Sequence, residues 1–151
     1  MLQRVFGRTG RRVTFQKRLL GAVAAAAAVA APAAWQGGAP AAVFTQEQAD
    51  AGRATFAAQC AACHGRDLAG SDAPPLAGSG FFSSWKTQST QYLFKYVQDM
   101  PPGGPYLRAE EYLGVIAYIL QQNGAPAGAD ALTAATDAPI GSVATGDRPA
   151  R

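Results

Sequence analysis

The sequence predicts a small all-α domain of three to four helices, and two observations carry that expectation. Apolar residues recur at helical spacing in three segments, each bounded by capping or breaking residues. The stretches between them are rich in glycine and proline, and the βαβ alternation of a parallel sheet is missing. A third observation bears on what holds such a domain together. Of the 151 residues 48% are hydrophobic, but alanine supplies much of that share and aromatics only 9%. Alanine buries little area, so the core is thin, and a domain of this kind needs a staple, a metal or a cofactor.

Residues 1–33 stand apart from the rest. They contain Arg4, Arg8, Arg11, Arg12, Lys17 and Arg18 and no acidic residue. A basic stretch is followed by Leu19, Leu20 and an alanine-rich run to Ala31. About 13 apolar residues make a signal-peptide core, whereas a bilayer span takes roughly 20. Small residues suit cleavage after Ala33 or, further on, after Ala41. The expectation is an exported, periplasmic protein; the alternative is an uncleaved anchor. Arg11-Arg12 resembles a twin-arginine signal, but an ordinary basic flank is the simpler reading. Without this segment seven Lys and Arg face all ten Asp and Glu, so the overall charge of +3 becomes −3. The basic character belongs to targeting, and no nucleic-acid partner is expected.

Residues 34–44 read as a flexible lead-in. A first helix starts at Thr45, where Thr45-Gln-Glu-Gln48 fits a capping box. Ala49, Gly52, Phe56, Cys60 and Cys63 then share one helical face. Residues 65–80 are rich in turn formers and predict a loop. A second helix runs from Thr87 or Ser89 to about Gln98, with Leu93, Tyr96, Val97 and Met100 on one side. Pro101-Pro102 ends it, because proline continues no helical ladder and restricts the residue before it. A third helix spans Ala109 to Gln122, with Glu110 and Glu111 in its first turn, where the dipole favours acid. Tyr112, Val115, Ile116, Ile119 and Leu120 form its apolar face, and Asn123-Gly124 is a stop signal. Arg108 is a poor N-cap, which leaves the start of this helix open. Residues 125–151 predict an extended or disordered tail, with Leu132 and Ile140 as its candidate contacts.

The chemistry concentrates at Cys60-Ala61-Ala62-Cys63-His64, the spacing through which haem c is attached. Two thiols on adjacent helical turns add across the two vinyl groups of one porphyrin edge, and the following imidazole is positioned to bind iron. Three other readings compete. A thioredoxin-like pair belongs in a βαβ frame, a structural zinc site wants four ligands, and a disulfide between residues so close constrains little. His64 is the only histidine, which excludes two imidazoles on one iron. Met1 lies in the targeting segment, so Met100, just before Pro101-Pro102-Gly103-Gly104, is the candidate sixth ligand.

With these residues in view, residues 45–124 resemble class I, monohaem cytochromes c of the bacterial periplasmic type. The resemblance rests on four features. These are Gly52 with Phe56 before the motif, the motif itself, Pro74-Pro75-Leu76-Ala77-Gly78, and Met100-Pro101-Pro102-Gly103. It implies an all-α fold packed around one covalent haem, with Gly52 and Phe56 crossing the last helix near Tyr118. It implies that the Pro74 carbonyl accepts the His64 Nδ1 proton, that Leu76 packs on the ring, and that His64 and Met100 are the axial ligands. Phe82, Trp85 and Tyr96 would then wall the haem, with Trp85 a candidate donor to a propionate. The implied function is one-electron, outer-sphere transfer between a redox donor and acceptor, such as a quinoprotein dehydrogenase and an oxidase. That makes an electron carrier, monomeric or transiently bound to partners bearing basic groups, not an enzyme. Two alternatives are a haem subunit of a larger membrane-associated complex, and, if Met100 is unbound, an enzyme acting on peroxide or a small gas.

Overall fold

The computed structural model describes residues 39–104 and 106–149. The expected signal peptide over residues 1–33 lies outside them. Among the described residues six helices follow in order: α1 Gln46–Gln59, α2 Ala61–His64, α3 Ser79–Trp85, α4 Thr90–Val97, α5 Ala109–Gln121 and α6 Ile140–Val143. Two are single turns, which leaves four of substance. Among the described residues no strand forms beyond one isolated bridge between Ser89 and Pro139, and no helix is long and apolar enough to cross a membrane. The fold is all-α.

The α1 helix begins where expected, with the Thr45 hydroxyl accepting the Gln48 N–H at 3.2 Å. The other half of the capping box is diverted. The Gln48 side chain instead donates to the Leu132 carbonyl and accepts the Leu132 N–H, both at 2.8 Å. A second difference concerns α5. Its N-cap residue is indeed Arg108, which lacks an acceptor, and the missing cap comes from inside the helix: the Glu111 carboxylate accepts the Arg108 N–H at 2.9 Å. A third is α3, seven residues of helix following a predicted loop. Gly78 at φ 78° precedes it, and no side chain caps it.

The α5 helix is the centre of the molecule. Nine consecutive residues, Tyr112 to Leu120, are buried, which a one-faced amphipathic helix could not show. It crosses α1 backbone to backbone: a Cβ on Gly52 would fall 1.8 Å from the Gly114 carbonyl oxygen. Close by, the Phe56 and Tyr118 rings pack with centroids 5.5 Å apart.

The segment after Gly124 has little regular structure, but it is docked rather than loose. Leu132, Ile140, Val143 and Ala144 are all at most 2% exposed. Thr90, at the start of α4, donates its backbone N–H to Ala138 and its hydroxyl to Thr136. Ile140 and Gly141 donate to the Gln88 and Lys86 carbonyls. The described lead-in is held too: Phe44 is fully buried, and Ala41 donates to the Ser142 carbonyl at 2.9 Å. The core therefore extends beyond the 45–124 span read from the sequence. Isolated apolar residues among alanines leave no periodic trace, yet each fills a gap that the short helices leave open.

Candidate cofactor site

The motif sits where α1 runs out. Cys60 closes α1 through its N–H to Phe56, and its own carbonyl receives the N–H groups of Cys63 and His64 at 3.2 and 3.0 Å. One further turn, α2, thus puts both thiols and the imidazole on a single short stretch. Gly65 at φ 77° then turns the chain away, in a conformation open to glycine at little cost. Cys60 is half-buried and Cys63 exposed, and the two are unbridged. Burial, and secondarily the neighbouring Cys63, push the Cys60 thiol up to about 11.

The loop that follows folds back onto the motif. Gly70 donates to the His64 carbonyl and Ala73 to the Cys63 carbonyl, which also accepts from the Ser71 hydroxyl. Leu68, buried with φ 60°, receives the N–H groups of Leu76 and Ala77. These ties bring the Pro74 carbonyl to 2.8 Å from His64 Nδ1. A carbonyl only accepts, so Nδ1 carries a proton, which in the neutral ring leaves Nε2 its lone pair. That is the form in which an imidazole binds a metal.

Behind the loop stands Asn123, fully buried and fully used. Its amide nitrogen donates to the Leu76 and Ile119 carbonyls at 2.9 and 2.8 Å, and its oxygen accepts the Gly78 N–H at 2.9 Å. It clamps both sides of the Leu76–Gly78 stretch to the end of α5. Sequence reasoning placed Asn123 only as a stop signal. A usable sign was present: Asn123 continues the apolar stripe of Ile116, Ile119 and Leu120 at helical spacing.

The remaining candidates divide. Leu76 is half-buried against the core. Trp85 stacks on Phe81 at 6.0 Å and meets Tyr92 and Tyr96 at 6.1 and 5.2 Å, the last edge-on. Tyr96 is half exposed. Phe82 belongs elsewhere. It lies about 100° round α3 from Phe81, and its ring packs on Gly146, where a Cβ would come within 2.6 Å of it. Phe82 thus packs against the C-terminal segment, while Phe81, Trp85, Tyr92 and Tyr96 form the aromatic cluster. Met100 follows α4, half-buried, with its N–H on the Val97 carbonyl. Tyr112, noted in the sequence only as part of an apolar face, donates its hydroxyl to the Met100 carbonyl at 2.7 Å.

Among the described residues, no three His, Cys, Asp or Glu side chains gather as a metal-holding group. The donor set does fit a c-type haem: two unbridged thiols one turn apart, and an imidazole fixed in its metal-binding tautomer.

Residues 47–119 match the family model described as cytochrome c oxidase, cbb3-type, subunit III, a class I-like c-type cytochrome domain. No curated protein and no solved structure matches the chain.

Proposed function

We propose that this chain, whose residues 47–119 are a domain of the class I-like c-type cytochrome family, is a periplasmic one-electron carrier. In this reading one haem is bound covalently through Cys60 and Cys63, with His64 and Met100 on its iron. The observation that carries the reading is the 2.8 Å contact between His64 Nδ1 and the Pro74 carbonyl. It gives the imidazole of a Cys-x-x-Cys-His motif a fixed tautomer and orientation. When bound, the haem supplies a ferric/ferrous couple that moves one electron without making or breaking substrate bonds.

The protein's own residues set the terms of that couple. Pro74 holds the Nδ1 proton and so strengthens Nε2 as a donor. The soft thioether of Met100 favours the ferrous state and raises the potential relative to a second imidazole. Leu76, Trp85 and Tyr96 supply apolar and aromatic surface for the ring. With His64 and Met100 both bound, the iron would have no position left for substrate, which favours transfer over catalysis. The charge of −3 beyond residue 33 favours partners with basic groups, such as a quinoprotein dehydrogenase as donor or an oxidase as acceptor, though so small a charge steers weakly.

A second reading, a haem subunit of a larger respiratory complex, is favoured by the description of the matching family as an oxidase subunit. Crosslinking in intact cells separates the two: a stable partner recovered in fixed ratio supports the subunit, and transient partners support the carrier.

The test of the site is direct. The exported protein should carry the mass of one covalent haem, and its ferric spectrum should show the weak near-infrared sulfur-to-iron band. Met100→Ala should keep the haem and lose the band. Its potential should fall by on the order of 0.1 V, a fraction of the roughly 0.8 V that axial ligation spans. A protein without covalent haem overturns the proposal, and an unchanged potential overturns the axial assignment.

A further inference from the structure

The segment carrying Met100 is nearly bare of its own support. Between the end of α4 and the start of α5 the sequence holds three prolines and two glycines. Among the described residues, its internal backbone hydrogen bonds are Met100 to Val97, a long one from Asp99 to Tyr96, and Gly104 to Pro101. Gly103 and Gly104 both have positive φ, and a Cβ on Gly103 would meet nothing within 4 Å. Among these bonds only the Met100 N–H to Val97 ties down Met100 itself.

A further tie comes from α5. Tyr112 is 4% exposed in the first turn of that helix. Its hydroxyl lies 2.7 Å from the Met100 carbonyl and 3.3 Å from that of Gln98. It also accepts the Leu107 N–H at 3.2 Å. A hydroxyl has one proton to give, and the shorter contact takes it. The result is a bridge: the Met100 carbonyl, the Tyr112 oxygen and the Leu107 N–H in series close both ends of the loop on one atom. That atom is fixed to the helix locked against α1 at Gly52 and Gly114. Phenylalanine would fill the same space and leave the carbonyl and the N–H without partners.

We infer that the Tyr112 hydroxyl is a positioning group for the Met100 thioether, holding the ligand loop closed against competitors for the iron. The inference rests on the proposal that Met100 is an axial ligand. It adds that the strength of this ligation is set in part from α5, through the backbone and not through the sulfur.

The experiment is a ligand-competition cycle on the haem-loaded ferric protein, with imidazole as the probe. Imidazole must displace the sulfur, so a looser loop binds it more tightly. Tyr112→Phe should keep the near-infrared band without imidazole and bind imidazole about fivefold more tightly, the equivalent of one net hydrogen bond. In the Met100→Ala background there is no sulfur to displace, and adding Tyr112→Phe should leave the affinity unchanged. A general loosening of the domain would raise it in both backgrounds, and that outcome overturns the inference. So does wild-type affinity in the single variant, with the Met100 assignment left standing. A wild-type spectrum without the band removes Met100 ligation and the inference together. Should Tyr112→Phe fail to retain haem, amide exchange in the wild type decides: the Leu107 N–H should be slow, and exchange as fast as in an open loop sinks the bridge.

Discussion

At the scale of single residues, the tightest requirement among the described glycines falls on Gly52, where α1 meets the backbone of Gly114. A Cβ on Gly52 would lie 1.8 Å from a backbone oxygen, and no rotamer or neighbouring side chain can yield to relieve that. The α1 and α5 helices would have to separate, which also parts the Phe56 and Tyr118 rings. Gly52→Ala should therefore destabilise by about 3 kcal/mol or more, at the upper end of overpacking costs. A melting temperature lowered by roughly 10 °C or more is expected in thermal denaturation; a loss of only a degree or two would show that the helices do not touch there. Gly52 was legible because its spacing to Phe56 and the motif resembles a known pattern. Gly114 was not, since a glycine inside an apolar run reads as one more small residue. Tyr112 was half legible in the same way: its ring belongs to the apolar face, but only the folded loop shows what its hydroxyl is for. Buried tyrosine usually finds a partner for its oxygen, and that preference was the one available hint.

At the scale of elements, α5 shows how a helix begins without a good cap. The Arg108 N–H donates to the Glu111 carboxylate, with the Arg108 side chain adding a second bond to it and an ion pair to Glu110. The backbone hydrogen bond first, and the guanidinium bond next, hold the Glu111 carboxyl below its ordinary value. A carboxyl lowered in the folded state stabilises above its unfolded pKa, and that contribution fades as the pH falls through the folded one. The wild type should therefore lose a small part of its stability on acidification below about pH 4. Glu111→Ala should be less stable near neutral pH and should converge with the wild type in acid. Melting temperatures followed against pH would reveal this, and parallel curves would mean the carboxylate caps nothing. The start of α5 was ambiguous in the sequence because N-cap preference describes the capping residue, whereas here the acceptor sits three residues inside. The α3 helix was missed for a related reason. Seven residues opened by Gly78 carry no helical signature of their own, and the stacking of Phe81 on Trp85 gives them a reason to coil.

At the scale of the whole molecule, the fold class and the motif were legible, while the outer limits of the domain were not. Helical spacing reports α1, α4 and α5, because each repeats its apolar residues often enough to be seen. Leu132 and Ile140 stand out as candidate contacts in an alanine-rich stretch, Val143 does not, and only the finished core shows all three fully used. A chain ending at Gly124 would lose all three. Each is worth roughly 1.5–3 kcal/mol of burial, and together they approach the whole stability of a small domain, about 5–15 kcal/mol. The shortened chain should lack a cooperative melting transition by circular dichroism, and a sharp transition near the wild-type temperature would contradict this account of the C-terminal segment.

That segment also governs when the domain can close. Gln48, in the first turn of α1, bonds Leu132 across a separation of 84 residues, and Ala41 is tied to Ser142. Contacts so distant along the chain form late and slow the search for the native state. A growing chain that has reached only α5 has no partner yet for Gln48, Thr90 or Phe44. Closure waits until the stretch from Gly128 to Ser142 has been synthesised, because the partners of Phe44, Gln48, Thr90 and Ala41 all lie within it.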